Sequence, residues 1–106
     1  MIKAAIYRDS KQRYKGFAIS GHAGYAESGR DIVCAAVSAL AINTVNSIEK
    51  FTEDDIRAEE KNGLLKVKFT GNLSKESILL MDAMLLGLQG VEDGNKKYLK
   101  IIFKEV

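Results

Sequence analysis

The dipeptide Asn62-Gly63 constrains this chain more than any other pair of residues. A type I′ turn needs positive φ at both central positions, which asparagine and glycine tolerate, and its twist matches that of two antiparallel strands. Folding the sequence about this turn sets Ile56 opposite Phe69, Ala58 opposite Val67 and Glu59 opposite Lys66. The hairpin then carries one mostly apolar face and one charged face. Glu60 opposite Leu65, and the like charges of Arg57 and Lys68, are the exceptions.

Further strands are read at Ile2 to Arg8 and Tyr14 to Ser20, which form a first hairpin across the polar segment Asp9 to Arg13, and at Lys97 to Lys104, with Leu99, Ile101 and Phe103 inward. Between the two hairpins, a ten-residue loop from Gly21 to Arg30 leads into a helix expected to start at an N-cap, Asp31, and to run to about Glu49. At 100° per residue Val33, Val37, Leu40, Ala41, Thr44 and Ile48 make one stripe that faces the sheet, with Asp31, Cys34 and Ser38 on its flank. Ser74 caps a second helix, expected over Lys75 to Gln89 and closed by Gly90. Leu79, Leu80, Met81, Met84, Leu85, Leu86 and Leu88 wrap most of that helix, more apolar circumference than one sheet covers. The order ββαββαβ predicts an α+β fold, an antiparallel or mixed sheet with two helices packed on it.

A chain of 106 residues, 46% hydrophobic and 28% charged, fits one compact domain and excludes a disordered or collagen-like polymer. One cysteine forms no internal disulfide, and with one histidine it cannot supply the four ligands of a structural zinc site, so no metal and no cofactor are expected. No stretch reads as a signal peptide or as ~20 apolar residues spanning a membrane. These readings predict a cytoplasmic protein without a membrane partner. A net charge of +2 is too small for a broad nucleic-acid footprint, so no direct nucleic-acid binding is expected, although a local basic patch stays open.

The only thiol and the only imidazole, Cys34 and His22, lie twelve residues apart, His22 in the glycine-rich loop and Cys34 just inside the helix it enters. With Asp31 as cap, Cys34 takes the third helical position, where unpaired amides and the helix dipole favour a thiolate. Paired with His22 it is a nucleophile beside its proton donor. The competing reading makes Cys34 a small core residue and His22 a turn residue. The glycine spacing from Gly24 to Gly29 also matches a phosphate-binding loop, but Arg30-Asp31 stands where Lys-Ser/Thr is required, and an acidic cap repels phosphate.

Gly21-His22-Ala23, six intervening residues, Gly29, then Asp31-Ile32-Val33-Cys34-Ala35-Ala36-Val37-Ser38-Ala39-Leu40 closely resembles the active-site segment of the ribosomal-processing cysteine protease family. The resemblance implies a single cysteine-protease domain over residues 1–106, with His22 and Cys34 as the catalytic pair. It implies a cytoplasmic endopeptidase, commonly a homodimer, that removes the N-terminal extension of a large-subunit ribosomal protein. Gly21, Ala23, Tyr25, Gly29, Asp31, Ala35 and Ser38 are expected to shape the site or contact substrate, with the amides of Cys34 and Ala35 as candidate oxyanion donors and the loop around Tyr25 closing over the peptide. Two other classes compete, a ribosome-associated binding module without catalysis and a thiol redox sensor. For a dimer, Leu80 and Met84 are the expected outer pair of the second helix.

Overall fold

The structure is a computed structural model that describes residues 1–21 and 28–106, the side chains of residues 28–30 excepted. Five strands and two helices follow in the order β1 (Ile2–Arg8), β2 (Tyr14–Ser20), α1 (Ser28–Phe51), β3 (Ile56–Lys61), β4 (Leu64–Phe69), α2 (Lys75–Gly94) and β5 (Leu99–Glu105). The strands form one sheet in the order β3-β4-β2-β1-β5. All neighbours are antiparallel except β1 and β5, which run parallel, so the α+β sheet is mixed.

The β3–β4 register is the one the Asn-Gly turn dictates, with Ile56 against Phe69, Ala58 against Val67 and Glu59 against Lys66. Asn62 and Gly63 adopt φ of 52° and 78°, the left-handed pair that a type I′ turn requires. In the first hairpin Asp9 closes the turn, its carboxylate accepting from the amides of Lys11 and Arg13 and from Arg13 Nε at 2.7 Å. Those donors favour the ionised form and bring the Asp9 pKa down to about 2, the amide of Arg13 foremost.

Both helices lie on one face of the sheet. Ile2, Ala4 and Ile6 of β1, Phe17 and Ile19 of β2, and Leu65, Val67 and Phe69 of β4 form one cluster with Val33, Val37, Ala41, Val45 and Ile48 of α1 and Met81, Met84 and Leu88 of α2. The predicted α1 stripe is therefore the core stripe. Where α1 crosses α2 a Cβ on Gly87 would stand 2.9 Å from Leu40 Cδ2, so the missing side chain lets that leucine fill the gap. By length and composition alone Asp31–Phe51 could cross a membrane, contrary to the sequence expectation, but its stripe at Val33, Val37, Ala41 and Ile48 is packed on the sheet.

Four further expectations are corrected. Helix α1 begins at Ser28, so Asp31 lies in its first turn and is not its cap, and the loop before it is shorter than ten residues. Helix α2 continues through Gly90 to Gly94, because Val91 packs on the core and the Glu92 carboxylate accepts the Ile101 amide of β5 at 2.7 Å. Phe103 is 44% exposed rather than inward; on the edge strand it is met by the Arg8 guanidinium, 4.2 Å from its ring centre. Met84 is 2% exposed and Leu80 packs against the core, so the most exposed large apolar residues of α2 are Leu79 and Leu86, at 68% and 72%.

Candidate active site

The chain enters the site from β2. The last pair of that strand sets Ser20 against Lys3, and the next residue, Gly21, turns away with φ of +81°. A Cβ there would lie 2.5 Å from the Met1 carbonyl oxygen, so both conformation and space demand glycine. Gly21 thus fixes where the segment bearing His22 departs. The main chain of Met1 is a part of this corner that sequence reasoning missed; the only signal for it was Gly21 itself. His22, Ala23 and Tyr25 lie outside the described residues, as does any closure of their loop. Gly29 falls in the first turn of α1, with its surroundings outside the description.

On α1 the structure does place the predicted flank. Asp31 and Ala35 are exposed, while Cys34 and Ser38 are half-buried one turn apart. Cys34 is half-buried and packs against the margin of the core, next to the buried Val33 and one turn before the buried Val37. Ser38 sits one turn further in, beside Ile19, Ile42, Glu60 and Leu65.

The revised helix start changes the chemistry available to Cys34. The amides left unpaired at an α-helix N-terminus are those of the cap and the first three helical residues, so in α1 they end at Arg30. The amides of Cys34 and Ala35 lie beyond them in the hydrogen-bonded ladder and are withdrawn as oxyanion donors. Cys34 is likewise about 9 Å along the axis from Ser28, past the first turn in which the helix dipole acts. Among the described residues no cluster of three His, Cys, Asp or Glu side chains is placed to hold a metal ion.

At the opposite end of the helical layer a second polar cluster joins the exit of α1 to the entrance of α2. The Asp54 carboxylate accepts from the amide and hydroxyl of Ser74, at 3.0 and 2.6 Å, and from the Ser77 hydroxyl, while the Ser74 oxygen accepts the Ser77 amide as the N-cap of α2. The hydroxyls of Ser74 and Ser77 hold the Asp54 pKa below the usual carboxylate value. On the same helix the Tyr14 hydroxyl donates to Asp82 at 2.5 Å, and burial together with that carboxylate raises the phenol pKa. Each of these groups is satisfied within the fold, which marks them as structural.

The family model of cysteine protease Prp matches residues 1–100 of the chain. The ribosomal processing cysteine protease Prp of Bacillus subtilis (strain 168) is 31% identical, over 95% of this chain and 96% of its own. Its counterpart in Staphylococcus aureus (strain Mu50 / ATCC 700699) is 28% identical, over 98% of this chain and all of its own. Among solved structures, the essential ribosomal processing protease Prp of S. aureus in complex with a substrate peptide superposes with a TM-score of 0.92 at 25% identity, covering 98% of this chain and all of that one. The same enzyme with a covalently linked product peptide gives 0.88 at 26% identity, with the same coverage.

Proposed function

The chain belongs to the cysteine protease Prp family, and on that premise we propose that it removes an N-terminal extension from a large-subunit ribosomal protein through a covalent enzyme intermediate. The covalently linked product peptide in a structural neighbour carries this reading, because a peptide bonded to the enzyme calls for a nucleophile and this chain has one thiol. Cys34 is that nucleophile, held half-buried on α1 with its backbone immobilised by Val33 and Val37.

In the proposed mechanism Cys34 Sγ, as thiolate, attacks the scissile carbonyl and forms the carbon–sulfur bond of a tetrahedral intermediate. As that intermediate collapses, the carbon–nitrogen bond breaks and His22 as imidazolium gives its proton to the departing amine. Neutral His22 then takes a proton from water, whose oxygen attacks the thioester, and the acid product leaves with Cys34 restored as thiolate. Gly21 sets the departure of the His22 segment, and Ala23, Tyr25, Gly29, Asp31, Ala35 and Ser38 stand as the surrounding contacts. The reaction needs no cofactor. It takes place in the cytoplasm, where a lone thiol stays reduced.

Self-association accompanies the activity in this reading. Leu79, Ala83 and Leu86 recur at helical spacing on the outer side of α2, and the first and last are more than two-thirds exposed. A two-fold dimer that covers this stripe is the simplest closure. Sedimentation of the wild type at micromolar concentration should show a dimer, and a Leu79→Glu, Leu86→Glu double variant a monomer; a monomeric wild type contradicts the dimer. The activity is tested by incubating the protein with a tagged, N-terminally extended large-subunit ribosomal protein. One new N-terminus at a single bond is expected, and an unchanged substrate contradicts the reading.

A further inference from the structure

The face of the sheet turned away from the helices concentrates the positive charge of the chain. Side chains alternate between the faces of a strand, so with Ile2, Ala4, Ile6, Phe17, Ile19, Leu65, Val67 and Phe69 in the core, their neighbours line the opposite face. Reading the register across β3-β4-β2-β1-β5 gives two full rows, Arg57, Lys68, Gly16, Tyr7 and Lys104, then Glu59, Lys66, Ala18, Ala5 and Ile102, and beyond them the pair Lys61 and Leu64 and the run Ser20, Lys3 and Lys100. Seven of the sixteen cations and one of the fourteen carboxylates lie in these rows, a local charge of +6 on a chain of net +2. The rest of the molecule is accordingly acidic. All seven cationic residues are exposed, and the ion pairs among the described residues are those of Asp9 with Arg13 and Lys15, so none of the seven is neutralised.

Two details set this face apart from an ordinary solvated surface. Arg57 pairs directly with Lys68, and Lys3 with Lys100, juxtapositions that destabilise a sheet and serve no packing. In the centre the side chains are small, Gly16, Ala18 and Ala5, and half-buried Tyr7 stands over them. Beside it is a depression of about 400 Å³ lined by Tyr7, Lys15, Lys66, Val67, Lys68 and Val106. The result is a shallow trough beside an aromatic side chain, with Lys66 and Lys68 exposed along it and Lys15 held there by Asp9.

We propose that this open face binds single-stranded RNA, the phosphates running along the lysine rims and a base resting on Tyr7. Cations on adjacent strands stand about 5 Å apart, a close array that one extended polyanion can meet, and aromatic platforms on a basic groove take unpaired bases irrespective of sequence. A membrane is disfavoured because the apolar part is recessed between the charges. RNA is assigned over DNA through the proposed ribosomal substrate, and to that extent the inference rests on the protease reading. It replaces the expectation drawn from net charge alone, which averaged a basic face with an acidic remainder.

The test is fluorescence anisotropy with labelled oligouridine of about 20 nucleotides across roughly 50 to 200 mM salt. Binding should weaken with a log–log slope near −4, from about 0.7 per phosphate contact and five to seven contacts. A Lys66→Ala, Lys68→Ala, Lys100→Ala, Lys104→Ala variant should bind at least tenfold more weakly and keep its circular dichroism and its cleavage of the ribosomal substrate. A control with Lys11, Lys50, Lys75 and Lys96 changed to alanine should bind within about twofold of wild type, since those four lie off the face. Absence of binding at low salt, equal loss in the control, or binding of polyglutamate or phosphatidylglycerol vesicles as tight as that of RNA would overturn the proposal. Cleavage is read on the same samples, so loss of RNA binding and loss of protease activity are separate results.

Discussion

The entrances to the two helices are built from similar residues for opposite ends. At α2, Ser74 caps the helix and Asp54 gathers Ser74 and Ser77, so every polar atom named there has a partner inside the fold. At α1, Asp31 points to solvent and Cys34 lies half-open on the flank just beyond the glycine-bearing segment that starts with Gly21. One entrance ties β3 and α2 to the end of α1; the other leaves Cys34 half-exposed near the exposed Asp31. A polar cluster satisfied within the fold stabilises it, whereas a half-exposed cysteine at the margin of the core is within reach of a substrate.

The contrast is broken most severely if chemistry and stability fail to separate between the two ends. Replacing His22 with alanine should lower cleavage by about 10² to 10⁴-fold, the usual contribution of a positioned acid–base group, without moving the melting temperature. Ser77→Ala at the other entrance should leave cleavage near wild type and lower stability by about 1 to 2 kcal/mol through the hydrogen bond removed from Asp54. Parallel kinetics and thermal melts check both, and a His22→Ala protein of normal activity would dissolve the distinction.

Asp54 sharpens the same comparison through pH. Its folded pKa is held below the unfolded value, so its stabilisation is complete above about pH 4, where the unfolded carboxyl is ionised, and is lost as the pH falls through the folded value. Denaturant titrations should show a stability decline on acidification that is smaller in Asp54→Asn, which at pH 7 should be less stable by about 1 to 2 kcal/mol. An equal decline in both proteins would remove Asp54 from the acid response.

Asp31 gives the smallest effect and the finest distinction. As a first-turn acid rather than a cap it acts through its charge alone, so Asp31→Asn and Asp31→Ala should each cost about 0.3 to 1 kcal/mol and resemble one another. A cap would be rescued by asparagine and not by alanine. Thermal melts of the pair decide between these, and a selective loss of cleavage in Asp31→Asn would bring the carboxylate into the catalytic machinery.

What the sequence made legible is what local geometry determines. Asn62-Gly63 dictated the β3–β4 pairing to the residue, and helical periodicity picked out Val33, Val37, Ala41 and Ile48 as the buried stripe. Tertiary contacts account for the misses at α2 and β5. Gly90 has the chemistry of a helix stop, but Val91 and Glu92 find partners that carry α2 onward. Phe103 alternates inward on an edge strand whose far end lies under Arg8 instead of a helix. At α1 the capping chemistry of Asp31 masked a start three residues earlier, across a glycine that disfavours helix. The family motif singles out His22 and Cys34 as the candidate pair, whereas the basic sheet face was invisible until strand order brought residues from β1, β3, β4 and β5 together.

The central claim is that Cys34 forms the covalent intermediate, and it is tested most directly by acid-quenching the protein during turnover of the ribosomal substrate and measuring intact and peptide masses. The account predicts a transient adduct of the mass of the N-terminal extension peptide less one water, joined as a thioester to the peptide bearing Cys34, and neither adduct nor cleavage in Cys34→Ser. Cleavage by Cys34→Ser at a rate near that of the wild type would contradict it.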